Sequence, residues 1–174
     1  AALCDPIKDD PPIIERTTFS EEEISMLWEH CDDPFVNIIL IGIYSGFRPQ
    51  ELVSLETDNV HLEEGYMVGG MKTSAGRNRI VPIHSRIRDL LQQQFTLATT
   101  NKSSKLFFIC DTNGDINELN YHKYRNRFNK VMKYLGMNHR PHDTRHTFVT
   151  LGKETGMNEY ILKLIVGHSV DDIT

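Results

Sequence analysis

The sequence predicts an α+β fold, in which a single, mostly helical domain carries a small antiparallel β-hairpin. Apolar residues recur at helical spacing through most of the chain, between recognisable start and stop signals. One pair of strand-like segments flanks a turn that contains glycine. With 174 residues, the chain has the length of one ordinary domain and can bury a core without disulfides or a structural metal.

The first part of the chain holds three helix signals. Ser20 and Glu23 have the spacing of a capping box, which predicts that a helix starts there. Residues 34–45 are apolar on nearly every side, as expected of a buried helix. Pro49 suits the first turn of a short third helix, because proline lacks an N–H group that would have no helical partner there.

Strand signals follow, and then helices again. Residues 65–72 and 79–83 are strand-like and flank a turn at 74–77, which predicts the hairpin. Ser85 is placed to cap the next helix. The remaining helices are predicted from Asn120 to the stop signal at Gly136, at residues 143–154 and at residues 158–166.

Several classes of protein are disfavoured by what the sequence lacks. Cys4, Cys31 and Cys110 are too scattered for a disulfide framework or a zinc site, which favours reduced thiols. No apolar run approaches the ~20 residues of a membrane-spanning helix. The acidic first residues do not resemble a signal peptide. We therefore expect a cytoplasmic protein that has no membrane partner.

The charge of the chain is distributed unevenly. The net charge is −5, but residues 1–33 hold ten acidic and two basic side chains, a net −8. Residues 72–145 hold fourteen basic and five acidic side chains, a net +9. A basic stretch of this kind can bind phosphates while the acidic front keeps the chain soluble. The same charges could equally be solvated helix faces.

Four polar elements stand out along the chain, although none is persuasive alone. Arg48 and Glu51 could form an ion pair on a helix surface, and Lys72 could be one more charge on a hairpin. His142 could cap a helix, and Gly167-His168 could be a simple turn. Their order along the chain is more informative than any one of them.

Together these elements resemble the tyrosine recombinases of the phage-integrase type. The pattern consists of a Gly-x-Arg-x-x-Glu box, a lysine on a hairpin, a His-x-x-Arg box and a Gly-His pair. The matching residues are Gly46, Arg48, Glu51, Lys72, His142, Arg145, Gly167 and His168. The resemblance extends from Phe19 to the end of the chain. It implies site-specific DNA strand cleavage and rejoining through a 3′-phosphotyrosyl intermediate, with neither metal nor cofactor.

The resemblance also implies a role for each residue, and chemistry supplies the reason. Arg48 and Arg145 would clamp the scissile phosphate, because a guanidinium makes two parallel hydrogen bonds to phosphate oxygens. His168 would donate a further hydrogen bond. Glu51 would hold the Arg48 guanidinium in place. These groups would stabilise the extra negative charge on five-coordinate phosphorus.

Two further residues would move protons. Lys72 would act as the general acid that protonates the leaving 5′-oxygen. His142, three positions before Arg145, would accept or buffer the proton of the tyrosine nucleophile. The implied partners are double-stranded DNA and other protomers of the same protein in a DNA-bound synaptic assembly.

The chain departs from the pattern at the nucleophile. It stops at Thr174, six residues after His168, and no tyrosine lies where the family places one. Tyr160 is nearest, but it precedes His168 and is interpreted as a packing residue. We expect the natural chain to reach a tyrosine shortly after Thr174, and the chain alone to be inactive. Residues 18–174 would then form the catalytic domain, and the proline-containing residues 1–17 would link it to an upstream DNA-binding domain.

Two other functions remain open at this point. A DNA-binding module without catalysis would use the helices at 143–166 as a helix-turn-helix. A relative that cleaves and religates one strand, as type IB topoisomerases do, would share the chemistry. The DNA contacts expected of the recombinase are Arg77, Arg79, Lys123, Arg125 and Arg127. The phosphate contacts of the binding module would be Lys123, Arg125, Arg127, Lys130 and Lys133. A metal-dependent nuclease is disfavoured, since the sequence holds no carboxylate cluster with two-metal spacing.

Overall fold

The computed structural model describes residues 17–70 and 76–168, and it confirms the predicted mostly helical fold. Within these residues the helices are α1 (Glu21–Glu29), α2 (Pro34–Ser45), α3 (Pro49–Val53), α4 (Arg88–Thr100), α5 (Tyr121–Leu135), α6 (Asp143–Glu154) and α7 (Glu159–Val166). The strands are β1 (Val60–His61), β2 (Tyr66–Gly69), β3 (Arg79–Pro82), β4 (Phe108–Cys110) and β5 (Ile116–Glu118).

Helix α2 forms the centre of the domain. Its buried residues include Ile39, Leu40, Ile41 and Ile43, none of which exposes any surface. Helices α1, α4, α5 and α6 all pack against it. The apolar composition that predicted a buried helix is explained by these contacts on several sides.

The predicted helix ends are confirmed where a local signal defines them. Ser20 and Glu23 form the capping box of α1. The Asn120 side chain accepts the N–H of Lys123 and so caps α5. Gly136 ends α5 in the left-handed conformation, which a residue without Cβ adopts easily.

The predicted hairpin is present, and one more strand extends it. Strands β1, β2 and β3 form an antiparallel sheet in that order, in which Met67 is paired with Val81. Both side chains are fully buried, so this face of the hairpin belongs to the core. Strand β1 was not predicted because its two residues are too few to show an alternating pattern.

Two further details differ from the prediction. Strands β4 and β5 form a second hairpin, which the sequence does not reveal because all three residues of β5 are exposed and give no buried apolar face. The helix predicted to start at Ser85 is preceded by a 3₁₀ turn at Ser85–Ile87. There His84, rather than Ser85, accepts the N–H of Arg86.

Parts of three predictions lie outside the described residues. These parts are residues 1–16 of the expected linker, Lys72 with its neighbours 71–75, and the end of the chain after His168. In the part of the chain that is described, no helix is both long enough and apolar enough to cross a membrane.

Candidate active site

The first part of the candidate site lies at the start of α3, where a sharp turn presents Arg48. Gly46 ends α2 with a φ of +68°, and a Cβ there would come within 2.4 Å of the Phe148 ring. Arg48 then precedes the first turn of α3, and Glu51 lies at the third helical position. From there a glutamate can reach back to the helix start. The Gly-x-Arg-x-x-Glu spacing therefore has a structural reason: the glycine forms the turn, and the glutamate caps the helix that follows.

Both oxygens of Glu51 are engaged by arginine. Oε2 accepts the backbone N–H of Arg48 at 3.0 Å, and Oε1 accepts an Nη1–H of Arg48 at 3.0 Å. Oε2 also accepts an Nη2–H of Arg79 at 2.6 Å. The predicted contact between Glu51 and Arg48 is therefore present, and the contact with Arg79 is an addition. The Arg48 side chain is 19% exposed, whereas that of Glu51 is 3% exposed.

Arg79 lies in the interior, which corrects the expectation that it contacts DNA beside Arg77. Its side chain is 4% exposed and lies over the ring of Phe47, 5.1 Å from the centroid. All three of its nitrogens donate hydrogen bonds inside the protein. Besides Glu51, the acceptors are the carbonyl oxygens of Gly76 and Ile165. A side chain held in this way cannot also serve as an exposed phosphate contact.

Arg145 is the second buried arginine of the site, on the first turn of α6. It donates to the carbonyl oxygen of Gly46 at 2.9 Å and to that of Val166 at 2.6 Å. These bonds join the turn before Arg48 to the end of α7. They use two of the five N–H groups of the guanidinium, which leaves at most three for a ligand.

His142 lies at the helix cap just before α6, with an exposed side chain that does not cap the helix. Partial desolvation lowers its pKa, and the charges of His146, Arg145 and Arg48 lower it further, although Asp143 acts in the opposite direction. Because an ordinary histidine already titrates near pH 6.5, this imidazole is mostly neutral at pH 7. A neutral imidazole can accept a proton.

The Gly-His pair ends α7 in a Schellman motif. Gly167 has a φ of +68° and donates its N–H to Leu164, while the N–H of His168 reaches the carbonyl of Lys163. A Cβ on Gly167 would lie 2.8 Å from the Cα of Gly76 and 3.1 Å from Cδ of Arg79. The glycine thus allows the end of α7 to approach the hairpin and leaves His168 exposed beside it.

The electrostatics of the cluster favour an anion. Burial alone would raise the pKa of Glu51, but the hydrogen bond and charge of Arg79, with the hydrogen bonds from Arg48, lower it to about 2. Burial lowers the pKa of Arg145 to about 10, and the charges of Arg48 and Arg79 contribute, against the effect of Glu51. One carboxylate therefore faces three guanidinium groups. This cluster carries an excess of two positive charges.

The other expected DNA contacts are on the hairpin and on α5. Arg77 is exposed on the hairpin. On α5, Lys123 and Arg127 are four positions apart and share a face, on which Lys123 donates to the carbonyl of Glu118 and Arg127 lies over the Phe35 ring. Arg125, two positions from each, points to a different side. The structure therefore divides the three α5 residues between two surfaces.

Sequence reasoning missed two participants. The inward position of Arg79 follows from its shared face with Val81, while Ile80, between them, is 61% exposed. Asp143 is 1% exposed, and its Oδ2 accepts the N–H of Arg140 and the hydroxyl of Thr17. Its place next to His142 at the start of a helix was the available signal.

The described residues contain no group of three histidine, cysteine, aspartate or glutamate side chains arranged to hold a metal ion.

The fold is shared with solved recombinases. The crystal structure of XerA recombinase superposes with a TM-score of 0.74 at 22% identity, over 93% of this chain and 58% of that one. The Tn1549 transposon integrase, solved in complex with circular intermediate DNA, gives 0.73 at 20% identity, over 94% and 60%.

Sequence comparison gives a consistent result. The tyrosine recombinase XerA of Pyrococcus horikoshii is 26% identical over 155 residues, which are 87% of this chain and 53% of that protein. The chain thus spans about half the length of this relative. The model of the phage integrase family matches residues 17–174. The chain therefore belongs to the phage integrase family.

Proposed function

We propose that this chain contributes the catalytic domain of a site-specific DNA recombinase of the integrase type. The proposed reaction is strand cleavage and rejoining through a 3′-phosphotyrosyl intermediate. The observation that carries the proposal is the excess of positive charge around Glu51, directly beside His142 and the Gly-His pair. A phosphodiester in the cleavage transition state is the anion that this arrangement fits best.

The proposed clamp consists of Arg48 and Arg145. Arg48 is held at one edge by Glu51, so its remaining N–H groups can address a non-bridging phosphate oxygen. Arg145 is fixed by two backbone carbonyls and is therefore preorganised before DNA arrives. His168 would add a hydrogen bond from the other side. Fixed donors of this kind stabilise developing charge without having to reorganise during the reaction.

Proton transfer would involve two other residues. His142, neutral at pH 7 for the reasons given above, would accept the proton of the attacking tyrosine. Lys72 would protonate the leaving 5′-oxygen. The tyrosine would form the covalent link, which conserves the energy of the broken phosphodiester for rejoining.

The proposed partners are DNA and further protomers. The Tn1549 transposon integrase, which has the same fold, was solved with a circular intermediate DNA. A duplex substrate would explain the net +9 of residues 72–145. Strand exchange would require other protomers on the same DNA. The protein would act where the DNA is, in the cytoplasm of a bacterial cell.

The test uses the parent protein, by which we mean a protein in which this chain is followed by the expected tyrosine. On its DNA site it should form a covalent adduct that survives denaturation by detergent. Arg48→Ala should reduce adduct formation by ~10² or more, the usual effect of losing one preorganised donor. Arg48→Lys should also fail, because an ammonium cannot make the two-pronged contact.

The folding control is the unfolding transition of each variant, which should stay cooperative. DNA binding without any adduct in the parent protein would indicate a non-catalytic binding module. A normal rate of adduct formation by Arg48→Lys would contradict the clamp.

A further inference from the structure

The further inference concerns Arg79, whose side chain connects three separate elements. Nε donates to the carbonyl of Ile165 at 2.8 Å, Nη1 to the carbonyl of Gly76 at 3.1 Å, and Nη2 to Glu51 at 2.6 Å. These acceptors belong to α7, to the turn before β3 and to α3. Of these elements, α3 carries Glu51 and α7 is followed directly by Gly167, both residues of the family pattern.

A buried guanidinium needs a physical reason, because removing it from water costs several kcal/mol unless its donors are satisfied. Here all three nitrogens have acceptors and Phe47 covers one face of the group. Such a fork has a fixed planar geometry, so its acceptors are held at fixed relative positions. A lysine in its place could not reach all three directions at once.

The contact with Glu51 reaches the phosphate clamp indirectly. Glu51 bonds Arg79 through Oε2 and Arg48 through Oε1. The carboxylate plane is therefore fixed by Arg79 on one side, which fixes the direction from which it can hold Arg48. Without Arg79, Oε2 would keep only the backbone N–H of Arg48, so the carboxylate would hold the Arg48 side chain less firmly in one orientation.

The contact with Ile165 reaches the other side of the site. Arg145 holds the next carbonyl, that of Val166, so two buried arginines bind the last turn of α7. Positive charge at a helix C-terminus is favourable because the helix dipole is negative there. The next two residues are Gly167, which lies against Arg79, and the exposed His168.

We propose that Arg79 is a positioning residue for strand cleavage: it orients Arg48 through Glu51 and holds the Gly167–His168 pair against the hairpin. Arg79 touches neither substrate nor nucleophile in this role. The inference rests on the proposed function and adds a residue to it.

The experiment compares Arg79→Met and Arg79→Lys with the parent protein. At saturating DNA, Arg79→Met should slow adduct formation by about 10²-fold, the loss typical of catalytic groups displaced by about 1 Å. Arg79→Lys should slow it at least about tenfold, since one ammonium replaces a three-way fork. The dissociation constant for DNA should change by less than about twofold, because phosphate contacts, which govern affinity, are not removed.

A second readout tests the path through Glu51 without using activity. Carbon NMR of the Glu51 carboxyl in the same protein should show that its pKa rises in Arg79→Met, because the hydrogen bond and charge of Arg79 are lost. Arg86→Met is the matched control. Arg86 donates to the hydroxyl of Tyr44, outside the cluster, so this variant should keep both the rate and the pKa of Glu51.

The outcomes separate the inference from the proposed function. If the parent protein forms no adduct, the proposed function fails whatever the Arg79 variants do. If the parent is active and Arg79→Lys keeps its rate, the inference is overturned while the function stands. A loss of DNA affinity with an unchanged rate at saturation would also overturn it, since Arg79 would then be a phosphate contact. If Arg79→Met does not fold, Arg79→Lys alone decides.

Discussion

Arg77 and Arg79 lie two positions apart in the sequence, yet the first is exposed and the second is one of the buried charges of the described residues. Composition treats them as equivalent, and the sequence prediction did so too. The difference arises because Arg77 lies in the turn before β3, whereas Arg79 begins the strand. There β3 turns Arg79 and Val81 inward and leaves Ile80 outside. Hydrophobicity alone would favour a buried Ile80 and an exposed Arg79. The role of an arginine depends on which hydrogen-bond acceptors surround it. Those acceptors come from distant parts of the chain, so a local sequence pattern does not reveal them.

The role expected of Lys72 can be tested by changing the DNA. In the parent protein, Lys72→Ala should cleave ordinary DNA ~10² to 10⁴ times more slowly, the range typical of general-acid catalysis. Replacing the bridging 5′-oxygen by sulfur should restore much of the rate, because a thiolate leaves without a proton. The measurement is the rate of adduct formation on ordinary DNA and on the sulfur-substituted DNA.

Arg48→Ala is the control for this experiment. It should not recover on the sulfur-containing strand, because its charge would act on the non-bridging oxygens. Equal recovery of both variants, or a normal rate for Lys72→Ala on ordinary DNA, would remove Lys72 from the role of acid.

The buried carboxylate of Glu51 should make stability depend on pH. Its pKa is about 2 in the folded state, against about 4.3 for an ordinary glutamate. A lowered pKa stabilises the fold fully above the unfolded value and loses that effect as pH falls through the folded value. The contribution, at most about 3 kcal/mol, should therefore be lost between about pH 5 and pH 2.

The measurement is the free energy of unfolding in urea, from pH 6 down to about pH 2. Glu51→Gln should be less stable than the original chain at pH 6, and the gap should narrow as Glu51 becomes protonated. A gap that stays constant over this range would show that the charge of Glu51 does not stabilise the fold.

At the scale of elements, the helices were the predictable part. Ser20, Asn120 and Gly136 are local signals, and each ends or begins a helix where the sequence indicates. The small sheets were less predictable, because β1 has two residues and β5 is exposed. The order of the site residues could be predicted from the family pattern. Their connection through Arg79 could not, since it joins segments 86 residues apart.

Two helix ends of the same geometry allow a matched test of how α7 meets the hairpin. Gly136 and Gly167 both have a φ of +68°, so replacement by alanine strains each backbone by a similar ~1 kcal/mol. Among the described residues, chain neighbours apart, no atom lies within 4 Å of a Cβ at Gly136, whereas one at Gly167 would lie 2.8 Å from the Cα of Gly76. Gly167→Ala should therefore lower the free energy of unfolding more than Gly136→Ala does. The difference measures how tightly the end of α7 packs against the hairpin.

Thermal unfolding of the two variants gives this comparison directly. We expect Gly167→Ala to lose at least about 1 kcal/mol more than Gly136→Ala, the usual minimum for overpacking a well-filled contact. Equal losses would mean that the end of α7 can move away from the hairpin without penalty.

On the scale of the whole molecule, the charge distribution opposes the net charge. A chain of net −5 carries a buried cluster with excess positive charge and a basic stretch of +9. Fields of this kind act on a polyanion over a Debye length of about 8 Å at physiological salt.

DNA binding by the parent protein should weaken as salt rises. Each phosphate contact that is lost should reduce the slope of log K against log salt by ~0.9. Lys123 and Arg127 share a face of α5, and Arg125 lies on another. If DNA contacts the shared face, Lys123→Gln and Arg127→Gln should each reduce the slope. Arg125→Gln alone then shows whether the other side of the helix is used.

Affinity measured by fluorescence anisotropy over a series of salt concentrations provides these slopes. Binding that stays constant from low to high salt would contradict an electrostatic interface of any kind.

Arg79 and Arg145, which bind the last turn of α7, also determine when the site can form during synthesis of the chain. Arg145 reaches the carbonyl of Val166, 21 positions away, and Arg79 reaches that of Ile165, 86 positions away. Contacts between segments far apart in the sequence require the intervening chain to be brought together, which costs entropy. While a ribosome is still synthesising this chain, the arginines have no carbonyls of α7 to hold. A partly made protein would therefore carry the polar residues of the site without their geometry, and would acquire it only once α7 had emerged and docked.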